Sequence, residues 1–256
     1  MPAGPRAGDV RAGGATWIGQ ILYRVGRALV ALLLTVVTGT RIEGAARVPR
    51  RGPLLVVANH TSNVDPLLLA RAMPRPLAFL AKEELFHPMP WGWALRAAGI
   101  IPVRRGHADR QALDAALEVL RAGGALVVFP EGTRSVEGGL QAAQPGAGLL
   151  ASRSGALVLP VALLGTERLH SPRGWLGRPR LLARCGTAWL PARPEGGGSR
   201  AYRAIADEMM QHIAALMPEG QRGRYGAGRV PTADPGAGHV GLGARHSVTE
   251  GETNWR

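Results

Sequence analysis

The chain has 256 residues, of which 46% are hydrophobic, so it can bury one good-sized core and we expect a single domain with tails. Its lone cysteine, Cys185, excludes an internal disulfide framework and a cysteine-rich metal cluster, and it fits a reducing cytoplasm. The net charge of +13 favours anionic partners such as phosphate substrates and anionic lipid surfaces, whereas an aromatic content of 5% argues against nucleic acid.

Residues 1–40 form a candidate membrane segment. The uncharged run at residues 28–40 would make a helix of roughly 20 Å, short of the ~30 Å hydrocarbon core of a bilayer. Helical spacing places Arg24 and Arg27 on one side and most apolar residues on the other, which predicts a helix lying in the membrane plane. A tilted span of residues 17–39 and a helix packed on the protein's own core are the alternatives. We expect the segment to be retained, because no small-x-small cleavage site follows it.

Beyond this segment, short apolar runs alternate with helical patterns. Runs rich in branched apolar residues predict strands at 53–59, 77–82, 100–104, 125–132 and 157–165. Helical spacing predicts helices at 65–73, 91–99, 109–121, 145–155 and 199–217. This alternation is typical of an α/β fold with a mainly parallel sheet flanked by helices, here a catalytic domain at residues 41–217. Residues 218–256 are rich in Gly and Pro and poor in apolar side chains, which predicts a disordered tail.

The polar sequence NHTSNVD at residues 59–65 connects the first of these strands to the first helix. Sheets of this kind carry their ligand sites at the carboxyl ends of strands, where this loop would lie. His60 and Asp65 are five residues apart, about 140° around a helix, so only a loop followed by a helix start brings their side chains together. As alternatives, Asp65 before Pro66 would serve as a helix N-cap and His60 would be a solvated loop residue.

Two more polar turns are predicted at the same edge of the sheet. The run VVFPEGTRS ends in a turn that contains Glu131, Gly132, Thr133 and Arg134. The run GIIPVRR closes another strand with Arg104 and Arg105, whose guanidinium groups match phosphate oxygens in a bidentate manner. The glycine of the first turn is either an ordinary turn residue or one that lets the backbone approach a ligand.

In this order and separation, the sequences NHTSNVD, GIIPVRR, FPEGTRS and VLPVAL resemble the four blocks of the 1-acylglycerol-3-phosphate acyltransferase family of membrane-associated glycerolipid acyltransferases. The resemblance implies that a fatty acyl group passes from a thioester donor, acyl-CoA or acyl carrier protein, to the free hydroxyl of a lysophospholipid. The first candidate acceptor is 1-acylglycerol 3-phosphate, which would give phosphatidic acid. It also implies a place on the cytoplasmic face of the membrane and no cofactor beyond the donor substrate.

By this resemblance His60 is the general base and Asp65 orients it. Arg104, Arg105 and the turn at residues 131–134 bind the phosphate-bearing acceptor, and Pro160 helps to shape the site. The chemistry agrees with these roles, because imidazole titrates close enough to neutrality to take a hydroxyl proton as the oxygen attacks. An aspartate on the other ring nitrogen fixes the tautomer and stabilises the imidazolium.

The chain departs from the family at Gln144, where many members carry a lysine, so other lysophospholipids, glycerol 3-phosphate and aminolipids stay open as acceptors. Ser62 suggests a hydrolytic triad, but a G-x-S-x-G elbow is absent from the sequence. A metal site is not expected, because no H-E-x-x-H or comparable ligand spacing occurs. The alternatives from other classes are a non-catalytic membrane-binding protein and a lipid hydrolase that uses water at the same site.

Overall fold

Seven strands form one sheet in the computed structural model, which describes residues 26, 28–29, 31–87, 92, 95–96, 99–104, 109–135, 139–192 and 196–226. The strands are β1 (Gly39–Glu43), β2 (Leu54–Ala58), β3 (Ala78–Lys82), β4 (Ile100–Val103), β5 (Ala125–Val128), β6 (Leu157–Leu164) and β7 (Arg180–Cys185). Their order across the sheet is β1-β7-β6-β2-β5-β3-β4. The β6–β7 pair is antiparallel and the other described pairs are parallel, so the mainly parallel sheet is confirmed.

Helices cover both faces of this sheet. They include α1 (Asp65–Ala72), α2 (Arg110–Arg121), α3 (Pro145–Ser154), α4 (Pro172–Leu176) and α5 (Ser199–Ala215). Short 3₁₀ turns lie at Ala45–Arg47, Glu83–Phe86, Thr166–His170, Glu219–Gln221 and Gly223–Tyr225. The start of α2 agrees with its prediction, because the Asp109 carboxylate accepts a hydrogen bond from the Ala112 N–H at 3.1 Å and so caps the helix. Most of the helix predicted at residues 91–99 lies outside the described residues.

The central strand β2 explains how the two cores are divided. All five of its residues are buried, which is typical of a parallel strand covered on both faces. Because successive side chains of a strand point to opposite faces, Leu55 and Val57 pack in the core beneath α2, α3 and α5. Leu54, Val56 and Ala58 belong to the opposite core, on the face covered by α1. The end of β2 is therefore held rigidly on both sides, directly before the NHTSNVD loop.

The amino-terminal part of the described chain is helical at residues 31–37 and leads directly into β1. Leu34 is buried in the core on the α1 face, so this helix contacts the domain along one side. Exposed large apolar residues in and just before this helix are Leu29, Leu32, Leu33 and Val36. The helix ends earlier than the uncharged run because residues 39 and 40 pair with β7 as a strand. Among the described residues, no helix has the length and apolar character needed to cross a bilayer.

Residues 218–226 are ordered, although the sequence placed them in a disordered tail. The Tyr225 hydroxyl accepts a hydrogen bond from the Ala143 N–H at 3.1 Å and donates one to the Asp207 carboxylate at 2.6 Å. The Arg224 N–H donates to the Leu140 carbonyl at 3.1 Å. Composition did not reveal this docking, because polar contacts rather than an apolar run hold the segment. Residues 227–256 lie outside the described residues.

Candidate active site

The NHTSNVD loop and the FPEGTRS turn lie side by side, because β2 and β5 are parallel neighbours and their carboxyl ends meet at one edge of the sheet. In the loop, the Nδ1–H of His60 donates a hydrogen bond to Oδ2 of Asp65 at 2.8 Å. The two residues are 7% and 0% exposed, so this pair is almost completely removed from water. The loop followed by a helix start thus brings together the two residues that the spacing singled out.

Asp65 is held by more than the histidine. Its Oδ2 also accepts hydrogen bonds from the backbone N–H groups of Thr61 and Ser62, each at 2.7 Å. Asp65 is the first residue of α1, while Val64 occupies the N-cap position. The carboxylate therefore turns back onto the loop instead of capping the helix, and the positive end of the helix dipole favours its negative charge.

The imidazole of His60 is fixed on two sides. Its ring stacks on the ring of Phe129, with centroids 4.0 Å apart and an interplanar angle of 14°. Because Nδ1 carries the hydrogen that points at the carboxylate, Nε2 of the neutral ring holds the free lone pair. His60 lines a cavity of about 860 Å³. This geometry can accept a proton at Nε2 and stabilise the resulting imidazolium through Asp65.

Glu131 accepts a hydrogen bond from the backbone of His60 and so holds it in place. Its Oε1 accepts a hydrogen bond from the His60 N–H at 2.9 Å, and its Oε2 accepts one from the Gln141 N–H at 2.9 Å. The residue is 2% exposed, and burial raises the pKa of its carboxyl group, while the two backbone hydrogen bonds act in the opposite direction. The carboxylate is thus engaged with the protein backbone, and the residue also lines the cavity.

The remainder of the FPEGTRS turn divides into cavity lining and scaffold. Gly132 and Thr133 line the cavity, and Gly132 has a φ of +74°, a conformation that favours glycine. A Cβ at this position would lie 3.1 Å from Cγ of Gln144, which also lines the cavity. Arg134 is exposed at the surface beside the site. The Ser135 N–H donates to the His60 carbonyl at 2.8 Å, so the turn contacts both sides of the His60 peptide unit.

Arg104 follows β4 and reaches the same cavity. Its Nε donates to Oε2 of Glu83 at 2.7 Å, and its backbone N–H donates to the Asp109 carboxylate at 2.9 Å. The hydrogen bond from Arg104 lowers the pKa of Glu83. The guanidinium is mostly exposed and has further donors for an anion. Arg105, the second arginine of GIIPVRR, lies outside the described residues.

The cavity combines polar and apolar walls. Its polar lining at the sheet edge includes His60, Arg104, Thr133 and Gln144. Its apolar lining comes from β3, β4, α2 and α3 and includes Leu80, Val103, Leu113, Leu149 and Leu150. A cavity of this kind fits a molecule with a charged head and a hydrocarbon chain.

Other residues that stabilise the site were missed in the sequence. The Asn59 side chain donates to the Leu163 carbonyl at 2.8 Å and accepts from the Leu163 N–H at 2.7 Å, which ties the ends of β2 and β6 together. An asparagine directly after a buried strand is a signal that would have identified it. Nε2 of His170 donates to the Thr61 carbonyl at 2.6 Å. Nothing in the local sequence around His170 points to this contact, because the partner is more than a hundred residues away.

The family model, the relatives and the solved structure that match this chain all carry the name acyltransferase. The family model described as Acyltransferase matches residues 39–164. The chain is 33% identical over 131 residues to a chloroplastic 1-acyl-sn-glycerol-3-phosphate acyltransferase of Arabidopsis thaliana, covering 50% of this chain and 36% of that protein. It is 30% identical over 169 residues to the 1-acyl-sn-glycerol-3-phosphate acyltransferase of Streptococcus pneumoniae, covering 63% of this chain and 60% of that protein. The crystal structure of the 1-acyl-sn-glycerophosphate acyltransferase PlsC of Thermotoga maritima superimposes with a TM-score of 0.62 at 25% identity, covering 77% of this chain and 79% of that one.

The sheet, the His60–Asp65 pair and these matches indicate the class: the chain is similar to the acyltransferase family. Within that class its similarity is to the 1-acyl-sn-glycerol-3-phosphate acyltransferases, which confirms the resemblance carried by the four motifs. The matched region spans little more than a third of the Arabidopsis protein and about three fifths of the Streptococcus protein.

Proposed function

We propose that this protein transfers a fatty acyl group from a thioester to the free hydroxyl of 1-acylglycerol 3-phosphate and so produces phosphatidic acid. The observation that carries this proposal is the buried hydrogen bond of 2.8 Å between His60 Nδ1 and Asp65 Oδ2 at a cavity with both polar and apolar walls. The names of the matched relatives support the choice of substrate.

In the proposed reaction His60 is the general base. Nε2 removes the proton of the acceptor hydroxyl as the oxygen attacks the thioester carbonyl carbon, and Asp65 stabilises the imidazolium that forms. The tetrahedral intermediate then collapses, the carbon–sulfur bond breaks, and the imidazolium returns its proton to the leaving thiolate. The products are the new ester and a free thiol, and the histidine regains its starting state.

The acceptor phosphate is assigned to the arginines that follow β4. Arg104 lies at the cavity with donors exposed, and Arg105 is the next residue in the chain. Thr133 and the backbone beside Gly132 add hydrogen-bond partners on the facing turn, and exposed Arg134 adds positive charge close to the entrance. Gln144 lines the cavity as an uncharged donor and acceptor where many relatives would offer a cation. Phosphate binding in this protein thus relies on the arginines after β4.

The acyl donor is acyl-CoA or acyl carrier protein, and its hydrocarbon chain fits the apolar wall formed by Leu113, Leu149 and Leu150. The site needs no cofactor for this chemistry, because the donor supplies an activated acyl group. The lysophospholipid acceptor resides in a bilayer, so we place the protein on the cytoplasmic face of the membrane, attached through residues 1–40. The outward-facing leucines at positions 29, 32 and 33 support this attachment.

The test is an assay with a labelled acyl donor and a panel of lysophospholipids and glycerol 3-phosphate, with the position of the new ester determined. His60→Ala is expected to lower turnover by ~10²- to 10⁴-fold while acceptor binding is retained, because only the transition state needs the proton removed. His87→Ala, at an exposed histidine that does not line the cavity, is the matched control. Turnover close to that of the parent in His60→Ala would remove the general base and with it the mechanism.

A further inference from the structure

Helix α4 carries an apolar surface that the acyl-transfer chemistry does not use. Leu176 is 85% exposed, the highest value among the described large hydrophobic residues, and Trp175 beside it is also exposed. The indole N–H of Trp175 donates to the Leu169 carbonyl at 3.2 Å, which anchors the ring against the protein. Single exposed hydrophobic residues are ordinary, whereas a contiguous exposed apolar surface rimmed by polar residues marks an interaction with a protein or a membrane.

The place of α4 is set by the strands on either side of it. Because β6 and β7 are antiparallel and Leu164 pairs with Leu182, the connection that contains α4 emerges at the carboxyl end of β6. The 3₁₀ turn before α4 contacts the NHTSNVD loop, where His170 Nε2 donates to the Thr61 carbonyl. The exposed surface of α4 thus lies at the edge of the sheet that carries the candidate active site.

The same surface continues into the amino-terminal helix. A guanidinium N–H of Arg178 donates to the Thr35 carbonyl at 3.2 Å, and the Gly39 N–H donates to the Pro179 carbonyl at 3.0 Å. Arg178 adopts a φ of 46°, a conformation that residues other than glycine rarely use and that contacts elsewhere must stabilise. These contacts hold the end of α4 next to the helix at residues 31–37, whose outward side is apolar.

The charges around α4 are those that an anionic lipid surface attracts. Exposed arginines occur at Arg168, Arg173, Arg178 and Arg180. In residues 165–180 the sequence contains one acidic residue, Glu167. An apolar tip made of tryptophan and leucine and surrounded by arginines is typical of segments that lie in the interface of a bilayer.

We propose that α4 is a second membrane contact: Trp175 and Leu176 enter the interfacial layer of an anionic bilayer, and Arg173 and Arg178 bind lipid phosphates. This inference rests on the proposed function, because lipid substrates must pass from that bilayer into the cavity. A single amino-terminal helix would leave the domain free to rotate above the membrane. A second contact at the edge that carries His60 fixes the cavity against the lipid surface.

The direct test places an environment-sensitive fluorophore on Leu176→Cys in the full-length protein, and on Leu190→Cys as the matched control. Leu190 is 62% exposed and follows Trp189, which pairs with Val158 near the start of β6, at the opposite edge of the sheet. Cys185 is 1% exposed and so contributes little background labelling. With vesicles of phosphatidylcholine and phosphatidylglycerol, the label at 176 is expected to shift to the blue and to be quenched by nitroxide-labelled lipid. The label at 190 is expected to show neither change.

A kinetic test uses Leu176→Asp with Leu190→Asp as its control. The apparent Michaelis constant for acceptor in anionic vesicles should rise about tenfold for Leu176→Asp, because a leucine is no longer buried in the interface. The constant for the same acceptor dispersed in detergent should not change, which separates membrane docking from damage to the site.

Several results would overturn the inference. The label at 176 could show no change with vesicles while the parent protein acylates vesicle-borne acceptor. That result would exclude α4 as a membrane contact and leave the proposed function intact. A blue-shifted label before vesicles are added shows that another part of this chain covers α4, and this also overturns the inference. If the label at 176 is quenched by vesicles but the parent protein transfers no acyl group, the membrane contact is retained and the proposed function is refuted.

Discussion

The docked segment at residues 218–226 leads to a sharp prediction about truncation. Ending the chain after Met217 removes the Tyr225 hydroxyl from Ala143 and Asp207, and removes the Arg224 N–H from Leu140. At about 1 kcal/mol each, the three hydrogen bonds contribute about 3 kcal/mol. Packing of the Tyr225 ring against the core adds to this and the entropy lost on ordering the segment opposes it, so we expect a net loss of about 2 kcal/mol. For a domain of this size that corresponds to a fall of about 4–8 °C in the unfolding midpoint.

The loss should also affect His60, the proposed general base. Leu140 and Ala143, which the segment holds, flank Gln141, and the Gln141 N–H donates to Oε2 of Glu131. The other oxygen of Glu131 accepts from the His60 N–H. We therefore expect turnover to fall several-fold on truncation after Met217, with a smaller effect on the acceptor's Michaelis constant.

The assay is thermal unfolding by circular dichroism together with steady-state kinetics on purified protein. Truncation after Gly226 is the matched control and is expected to leave both midpoint and turnover at parental values. Tyr225→Phe retains the ring and loses the hydroxyl, so it should reproduce a large part of the midpoint loss. A parental midpoint and parental turnover after truncation at Met217 would refute the reasoning.

Three further predictions concern the polar residues around His60. Burial raises the pKa of Glu131 above its ordinary 4.5, so the folded state holds that proton more tightly than the unfolded chain, and the group's contribution to stability falls as pH rises through the raised pKa. Glu131→Gln should flatten that part of the stability–pH curve, measured by urea unfolding. It should also lower turnover, because the NH₂ group of the new side chain would face a backbone N–H. Glu84→Gln, at an exposed residue, should change neither the curve nor the turnover. Arg104→Ala should raise the acceptor's Michaelis constant about ten- to a hundredfold with little change in turnover, while exposed Arg121→Ala stays parental in the same kinetics. Asn59→Leu should lower the unfolding midpoint, since it leaves two backbone groups of β6 unpaired at about 1–3 kcal/mol each; an unchanged midpoint would show that this contact contributes nothing.

The sequence alone predicted those elements and site residues that carry a local sequence pattern. The buried run of β2, the polar loop after it and the Asp65-Pro66 pair at the start of α1 each carry a local pattern, and together they predicted where His60 and Asp65 meet. The clear amphipathic spacing of α2 predicted that helix closely. These features depend on residues that are near one another in the chain, so a single sequence contains the information.

The sequence alone did not predict hydrogen bonds between polar groups that are far apart in the chain. An acidic residue in a glycine-containing turn looks the same whether it binds a ligand or a backbone, so the sequence did not reveal that the Glu131 carboxylate engages two N–H groups. Tyr225 lies in a stretch whose composition predicts disorder, and its partner Ala143 is 82 residues away. Neither hydrophobic periodicity nor turn propensity reports such pairings.

The contacts of His60 give a physical reason why the NHTSNVD and FPEGTRS motifs occur together. Phe129 stacks on the imidazole, Glu131 accepts from the His60 N–H, and the Ser135 N–H donates to the His60 carbonyl. The FPEGTRS motif therefore contacts the ring, the N–H and the carbonyl of His60, which belongs to the NHTSNVD motif. Because imidazole orientation decides where Nε2 points, a change in any of these three residues is expected to affect proton removal in the proposed mechanism. In the proposed mechanism the FPEGTRS turn therefore supports the general base, and its residues Phe129, Glu131, Gly132 and Thr133 also line the cavity.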